Sequence, residues 1–477
     1  MSKFSSGGKF EPESRTSHIY IINDDEVKKY LEECTIPAAA KDVNLNQSLI
    51  HEIPYPDSKF IDFYIAVDGE STTIPINEGF PSSLLTFFQF GTLAIAGSDL
   101  DGMDKKPFIS PDDIKKLKEI RREKFVLPTK NVALKNGIDF RTVVRTAIQD
   151  FFRKEHVDED ERKKLAEDDA KSKAKEEKKD ESLLATVFWF IFEMYNPDVV
   201  KHHYLLSRCP HCRTPNIELW KERIQIPNYS WECTESKCKK DIYITDVFRL
   251  FEKVDDEIGA EGIIALLKNV IETFLIIHAI KKLLEIRDGS INRFLIVKDG
   301  PLSFNGETVY MVQPMQALIR FLNKAYNINL VGVESSGPFV DHAKQIGNKL
   351  PAGHAFLLNN KHIYTYILVG DPEAQDYGAK NYYSGKMIYK SLDERIYVLT
   401  MPVENHVTYY RRPELLDFKN IQEILFSVAR LRCDIYENAL IPIAVINKMI
   451  SISTRSGGNI LKKFIDNYLN NEDQKNQ

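Results

Sequence analysis

Two short stretches decide how this chain reads: Phe63–Glu70, FYIAVDGE, and Phe294–Leu302, FLIVKDGPL. Each is an apolar run rich in β-branched and aromatic residues, the composition of a strand buried in a sheet. Each run meets an Asp-Gly pair, Asp68-Gly69 in the first and Asp299-Gly300 in the second. Both residue types tolerate turn conformations, so this reading places each carboxylate at a strand end, on the rim of the sheet. Alone, either Asp-Gly reads as a turn. Together they form a repeated arrangement, and if the two strands are neighbours the carboxylates converge. Converging carboxylates repel unless a cation lies between them. Hard oxygen donors suit Mg2+ or Mn2+, ions that serve phosphodiester cleavage.

Around these stretches the pattern is mixed. LLTFFQFGTLAIAG from Leu84 predicts a second strand, antiparallel to the first across a loop. SPDDIKKLKEIRREKF predicts a helix over 110–125, with Ser110 as N-cap and Pro111 at the first helical position. A second amphipathic helix is expected over 139–155. Residues 153–182 are nearly all charged with mixed sign, which reads as a solvated helix or a linker. LLATVFWFIFEMYN, from Leu183, predicts an apolar helix, and 260–287 a long helix apolar on much of its surface. Further on, a helix is expected over 314–326, then strands at NINLVGVESSG, HIYTYILVG, RIYVLTMP and HVTYYR, and two helices between Asn420 and Ser453. No internal repeat is evident. The sum is an α/β core with insertions.

The chain has 477 residues, enough for two or three units. Its 43% hydrophobic and 28% charged content is that of a globular protein. At a net charge of -5, nucleic-acid contact must use local basic patches. No run of eighteen apolar residues predicts a membrane span. The N-terminal MSKFSSGGKFEPESR lacks the apolar stretch of a secretory signal, and six cysteines make no disulfide scaffold. A reducing cytoplasmic setting is the expectation.

CPHC, Cys209 to Cys212, is followed by CTESKC, Cys233 to Cys238. Four thiolates at this spacing predict a closed tetrahedral Zn2+ site, structural because no coordination position stays open. Pro210 and His211 shape the first knuckle, and Trp231 is positioned in sequence to shield it. Arg208, Arg213, Lys237, Lys239 and Lys240 leave a nucleic-acid-contacting ribbon as the functional alternative. Cys34 and Cys433 read as ordinary thiols.

The strand YIAVDGE, the helix IETFLIIHAIKKLLE leading into FLIVKDGPL, the strand and loop NLVGVESSGPFVDHA, and the late VENHVTYYR occur in that order. In order and spacing, over roughly 55–110 and 260–415, they resemble the NurA nucleases. The resemblance implies an RNase H-like mixed sheet flanked by helices, interrupted by an inserted helical and zinc-ribbon module. It implies DNA cleavage with Mn2+ or Mg2+, as an exonuclease with some endonuclease action, in end processing or anti-phage defence. Asp68 matches the family's first metal-binding aspartate and Asp299 the second. Glu272 best matches the acid on the preceding helix, with Glu285 as a rival, and His406 matches the late histidine. Tyr410, Arg411 and Arg412, beside Tyr409, are candidate DNA contacts, because aromatics interleaved with arginines can stack a base and hold a phosphate. The chain departs from the family at Glu334-Ser335-Ser336, where a lysine is often found; Lys344 is a weak substitute. His342 and His354 read as loop residues.

Further implications are a homodimer docked on a HerA-type hexameric ATPase. The chain carries no GxxxxGK[ST] loop, so that motor would be a separate protein. Docking is expected through the N-terminal arm or the apolar helix near Phe188–Phe192. The expected units are an arm over 1–55, a first core segment over 56–150, the insertion over 151–255, and a second core segment with C-terminal helices over 256–477. Two rivals stand beside this reading: a non-catalytic zinc-ribbon adaptor binding DNA or protein, and an RNA-directed nuclease of Argonaute type.

Overall fold

The computed structural model describes residues 24–34, 37–38, 43–57, 61–77, 80–100, 120–132, 137–154, 180–194, 202–285, 290–433, 439–451 and 461. Nine strands form one mixed sheet: β1 (Ile50–Glu52), β2 (Phe63–Asn77), β3 (Phe80–Ala96), β4 (Ile120–Lys130), β9 (Phe294–Asp299), β10 (Asn329–Glu334), β11 (His354–Leu357), β12 (Ser384–Lys390) and β13 (Ile396–Pro402). Their order is β1-β11-β12-β13-β10-β9-β2-β3-β4. β2, β3 and β4 form an antiparallel meander, and β9 and β10 then run parallel to β2. This α/β arrangement, with helices on both faces, is the mixed sheet flanked by helices that the sequence led us to expect.

Strand periodicity explains the two cores. Along β2, Ile65 and Val67 enter one core while Tyr64 and Ala66 enter the other. β9 and β10 split the same way, Ile296 and Leu330 against Val297, Val331 and Val333. Parallel strands buried on both faces need such continuous apolar runs. The helix Ile264–Glu285 fills the first core with Ile271, Phe274 and Ile277, packed on β2 and on the helix Leu183–Phe188. Residues 261–285 are long and apolar enough, by length and composition, to cross a membrane. Here they form the central core helix, hydrophobic nearly all round because neighbours cover most of it. The helices Pro338–Ile346, Ile421–Arg430 and Ile441–Ile450 fill the second core.

Three local expectations are overturned. Residues 120–125, expected to be helical, belong to β4; residues 110–119 lie outside the described ones. The stretch pairs along β3 and buries Phe125 and Leu127 at period 2, so the tertiary partner overrides a helix-like charge pattern. HIYTYILVG holds the helix Asn360–Tyr366, started by the Asn359 side chain accepting from the His362 N–H. HVTYYR is the helix His406–Arg411, started likewise by Asn405. In both, an asparagine N-cap decides what β-rich composition obscured. Most of the charged segment 153–182 lies outside the described residues.

Helix Pro338–Ile346 is bound to its neighbour by a buried histidine pair. His342, helical rather than in a loop, stands with its Nε2 2.9 Å from Nε2 of His362. Burial lowers His342 to about 4, and burial with the adjacent His342 lowers His362 to about 3. Both values lie below the unfolded one, so unfolding takes up protons as the pH falls below about 6.5. The pair's stability is full above that value and is lost toward pH 4, at about 1.4 kcal/mol per unit of depression. Urea midpoints at pH 7.5 and 5 are expected to drop more steeply in the wild type than in a His342→Gln/His362→Gln double variant. Equal slopes would rule the pair out as the cause.

Candidate active site

The parallel pairing of β2 with β9 sets Val67 opposite Lys298. The next residues, Asp68 and Asp299, therefore lie abreast. Asp68 is not at a strand end as expected: β2 runs on to Asn77, with Asp68 opposite Gly91 of β3. β9 is the strand that stops. After Asp299 the chain turns through Gly300 at φ +88, a conformation that favours glycine, and the Gly300 N–H donates to the Val333 carbonyl at 2.7 Å. The rim is thus the end of one strand against the middle of another.

A third carboxylate comes from the core helix. Glu272 is 3% exposed, and its Oε1 would lie 3.2 Å from a Cβ placed on Gly69. Gly69 is what lets the helix carboxylate come down onto β2. Glu285 lies thirteen residues further along, roughly 20 Å at the helical rise, and pairs with Lys282 at 3.8 Å. Geometry therefore separates the two rivals in favour of Glu272.

Two lysines that the sequence reading missed complete the cluster. Lys298 Nζ donates to Glu272 Oε2 at 2.7 Å and to the Asp299 carbonyl at 3.0 Å, fully buried. Lys268, one helical turn before Glu272, holds its Nζ 3.5 Å from Glu272 Oε1 with the side chain 34% exposed. The i to i+4 spacing of Lys268 and Glu272 on a predicted helix was the available signal.

Burial first, then Asp299, then Glu272 push Asp68 up to about 8. Asp299 is also raised, by burial and Glu272, with Lys268 and Lys298 opposing. Two carboxyls crowded in this way cannot both ionise easily, so one tends to keep its proton. The Gly69 N–H donates to Asp68 Oδ1 at 2.7 Å. Asp68 Oδ2 and Glu272 Oε1 are buried and accept no hydrogen bond among the described residues. Orphaned buried oxygens are costly, and carboxylate oxygens are the donors that hard divalent cations take.

The remaining expected site residues fall elsewhere. His406 is buried, with Nδ1 2.6 Å from Gln316 Nε2 and Nε2 2.9 Å from the Ala379 carbonyl. None of the three carboxylates is among its hydrogen-bond partners, and burial lowers its pKa. Tyr410 is wholly buried, ringed by Tyr377, Tyr382 and Tyr409. It cannot stack a base: the apolar side of an amphipathic helix faces inward. Arg411 is exposed but clamped by Asp376 at 2.6 and 2.8 Å, while Arg412 is 85% exposed and 3.3 Å from Glu414. The apolar segment near Phe188–Phe192 is not an open docking surface either. Phe190, Ile191 and Phe192 are buried, with Phe190 against Phe274 of the core helix at 5.3 Å.

The four cysteines meet between two hairpins, β5 (His203–Arg208) with β6 (Pro215–Trp220) and β7 (Ser230–Glu232) with β8 (Asp241–Tyr243). Their Sγ atoms all lie within 4.8 Å of one another, with Cys209–Cys238 at 4.0 Å and Cys212–Cys233 at 3.8 Å. Tetrahedral Zn–S bonds of about 2.3 Å put sulfurs roughly 3.8 Å apart, so the group can hold a metal ion such as zinc. Among the described residues no carboxylate or histidine group is this tight. Trp231 is buried against Phe192, its indole N–H donating to the Trp220 carbonyl at 2.7 Å. Arg145, on the helix Phe140–Arg153, ties the ribbon down. It makes a buried two-pronged pair with Asp246 at 2.6 and 2.8 Å and contacts His211 and the Asp241 carbonyl.

No family model matches the chain, and no curated protein matches it. Among solved structures, the NurA nuclease from Sulfolobus solfataricus aligns over 97% of this chain and 98% of its own, at 9% identity and a TM-score of 0.32. A second structure, described as NurA, aligns over 95% and 97% at 9% identity and a TM-score of 0.27. Superpositions this loose transfer no residue role; the topology and the side chains above carry the site.

Gly69→Ala tests the close approach. The added Cβ would lie 2.5 Å from Phe90 Cδ1 as well as against Glu272. Overpacking of this kind is expected to destabilise by about 1–3 kcal/mol, read from urea unfolding. An unchanged midpoint would show that Glu272 does not sit over β2.

Proposed function

We propose that this chain is a divalent-metal-dependent nuclease of the NurA type that cuts DNA. The observation that supports it most is the convergence of Asp68, Glu272 and Asp299, with Asp68 Oδ2 buried without a hydrogen bond and Glu272 Oε1 met only by the Lys268 ammonium at 3.5 Å. The three carboxylates would hold Mn2+ or Mg2+. Bound there, the ion supplies an activated water and charge neutralisation at the phosphate. The chain's own residues prepare that place. The Gly69 N–H fixes Asp68 through Oδ1 and leaves Oδ2 free. Lys298 fixes Glu272 through Oε2 and leaves Oε1 to Lys268, 3.5 Å away. The sheet and the core helix bury Asp68 and Glu272, at 1% and 3% exposure, while Asp299 is half-buried at the Gly300 turn, the side from which a strand of DNA would approach.

His406 joins this set in the NurA resemblance. In this chain its nitrogens are engaged by Gln316 and Ala379, so we assign the metal to the three carboxylates. Arg411 and Arg412 are on the surface and are the proposed phosphate contacts, without Tyr410. Zinc in the four-cysteine site, a homodimer, a HerA-type hexameric ATPase and a role in DNA end processing or phage defence complete the proposal. These last points rest on the resemblance and on cysteine chemistry.

Labelled linear DNA incubated with Mn2+ tests the activity. Asp68→Asn, Glu272→Gln and Asp299→Asn are each expected to lower cleavage at least about a hundredfold, because a lost ligand forfeits several kcal/mol of transition-state stabilisation. No cleavage by the native chain, with or without a cognate ATPase and ATP, would favour the non-catalytic adaptor. Separately, metal analysis of the purified chain is expected to find about one zinc, as one closed four-thiolate site requires. Cys233→Ser should lose it and melt at lower temperature; full zinc content in that variant would refute the site.

A further inference from the structure

Of the two lysines, Lys268 is the one partly exposed. It sits in the second turn of the helix Ile264–Glu285, past the first turn over which the helix dipole acts. It lies four residues before its glutamate, the weaker orientation for such a pair. Helix stability therefore accounts for little of its placement; the carboxylates account for the rest. Its ammonium is 3.5 Å from Glu272 Oε1, the oxygen that accepts no hydrogen bond, and the attraction of Glu272, Asp68 and Asp299 outweighs the effect of burial on it. Lys298 is different: fully buried and held by two acceptors, it is part of the frame.

We propose that Lys268 is the resident counter-ion of the cluster and that a divalent cation must displace its ammonium to bind. This rests on the metal-site reading above. Once all three carboxylates are ionised, as holding a cation requires, they and the two lysines leave one negative charge. Adding a divalent cation beside both lysines would leave one positive charge in a site with few competing acceptors. Withdrawing Lys268 brings the count to zero. The side chain can withdraw, because it is one-third exposed and its four-carbon stem can carry the head into water. Lys298 has no such exit. The protein thus carries its own competitor for the metal, and the site takes up metal less readily than bare carboxylates would.

Mn2+ titration calorimetry on the full zinc-loaded chain, with melting curves with and without Mn2+, tests this. Lys268→Met is expected to bind Mn2+ about tenfold tighter than the native chain, since a half-screened charge some 4 Å away is removed. The variant should melt lower without Mn2+ and gain more on its addition. Lys268→Arg, which keeps the charge, should bind Mn2+ like the native chain, and guards against a merely structural effect. Equal or weaker Mn2+ binding by Lys268→Met overturns the inference and leaves the metal site standing. No Mn2+ binding by either chain overturns both.

Discussion

The parallel pairing of β2 with β9 is the contact on which the rest depends. It is made mostly of apolar residues, Phe63 to Ala66 against Phe294 to Val297, and its register is enforced by two cores at once. A slip by one residue would turn every side chain of β2 to the wrong core. Because that register is fixed by burial, the two aspartates that follow have no freedom to separate. Hydrophobic packing therefore holds two like charges together, and the cluster's other features answer that imposition. Asp68 and Asp299 are both raised, and two lysines surround Glu272.

What could be read from the sequence follows from this. The apolar runs before Asp68 and Asp299 are strong local signals of buried strands, but that the two strands pair was only a condition until the fold supplied it. The core helix and the four-cysteine spacing were equally plain, since each is set by residues close in the chain. What misled was information held by distant partners. Nothing local says that β2 continues nine residues past Asp68; β3 decides that. The charges of residues 120–125 looked helical until β3 supplied an edge to pair with. Tyr410 looked like a stacking platform because a short helix resembles a strand end, and only its tyrosine neighbours show which way it faces. Lys298 was hidden because its role depends on a residue twenty-six positions earlier in the chain.

The ribbon is joined to the core by more than its backbone. Arg145 reaches from a core helix to Asp246, His211 and the Asp241 carbonyl, close to both knuckles. A buried ion pair of this kind adds little net stability but fixes one arrangement, because breaking it strands a charge. Burial raises Cys233, whereas Cys212, with burial opposing, is lowered to about 6 by Thr214 and its cysteine neighbours. The four thiols therefore do not ionise alike on their own. The ribbon's orientation is set by Arg145, and the state of its sulfurs by whatever they hold.

The β2–β9 contact also has a history during synthesis. Phe63 pairs with Phe294, so 294 − 63 = 231 residues must be made before β2 meets its parallel neighbour. At about 5–20 residues per second this is on the order of 10–50 s. In that interval β2 can pair only with β3, which pairs in turn with β4 in a local meander that closes early. Its other edge, bearing Tyr64 to Val67, stays open on the nascent chain, and the ribbon and core helix emerge before it is covered. An apolar edge exposed for that long is what chaperones recognise. Asp68, a charge at the border of that edge, keeps it from meeting other chains in the meantime.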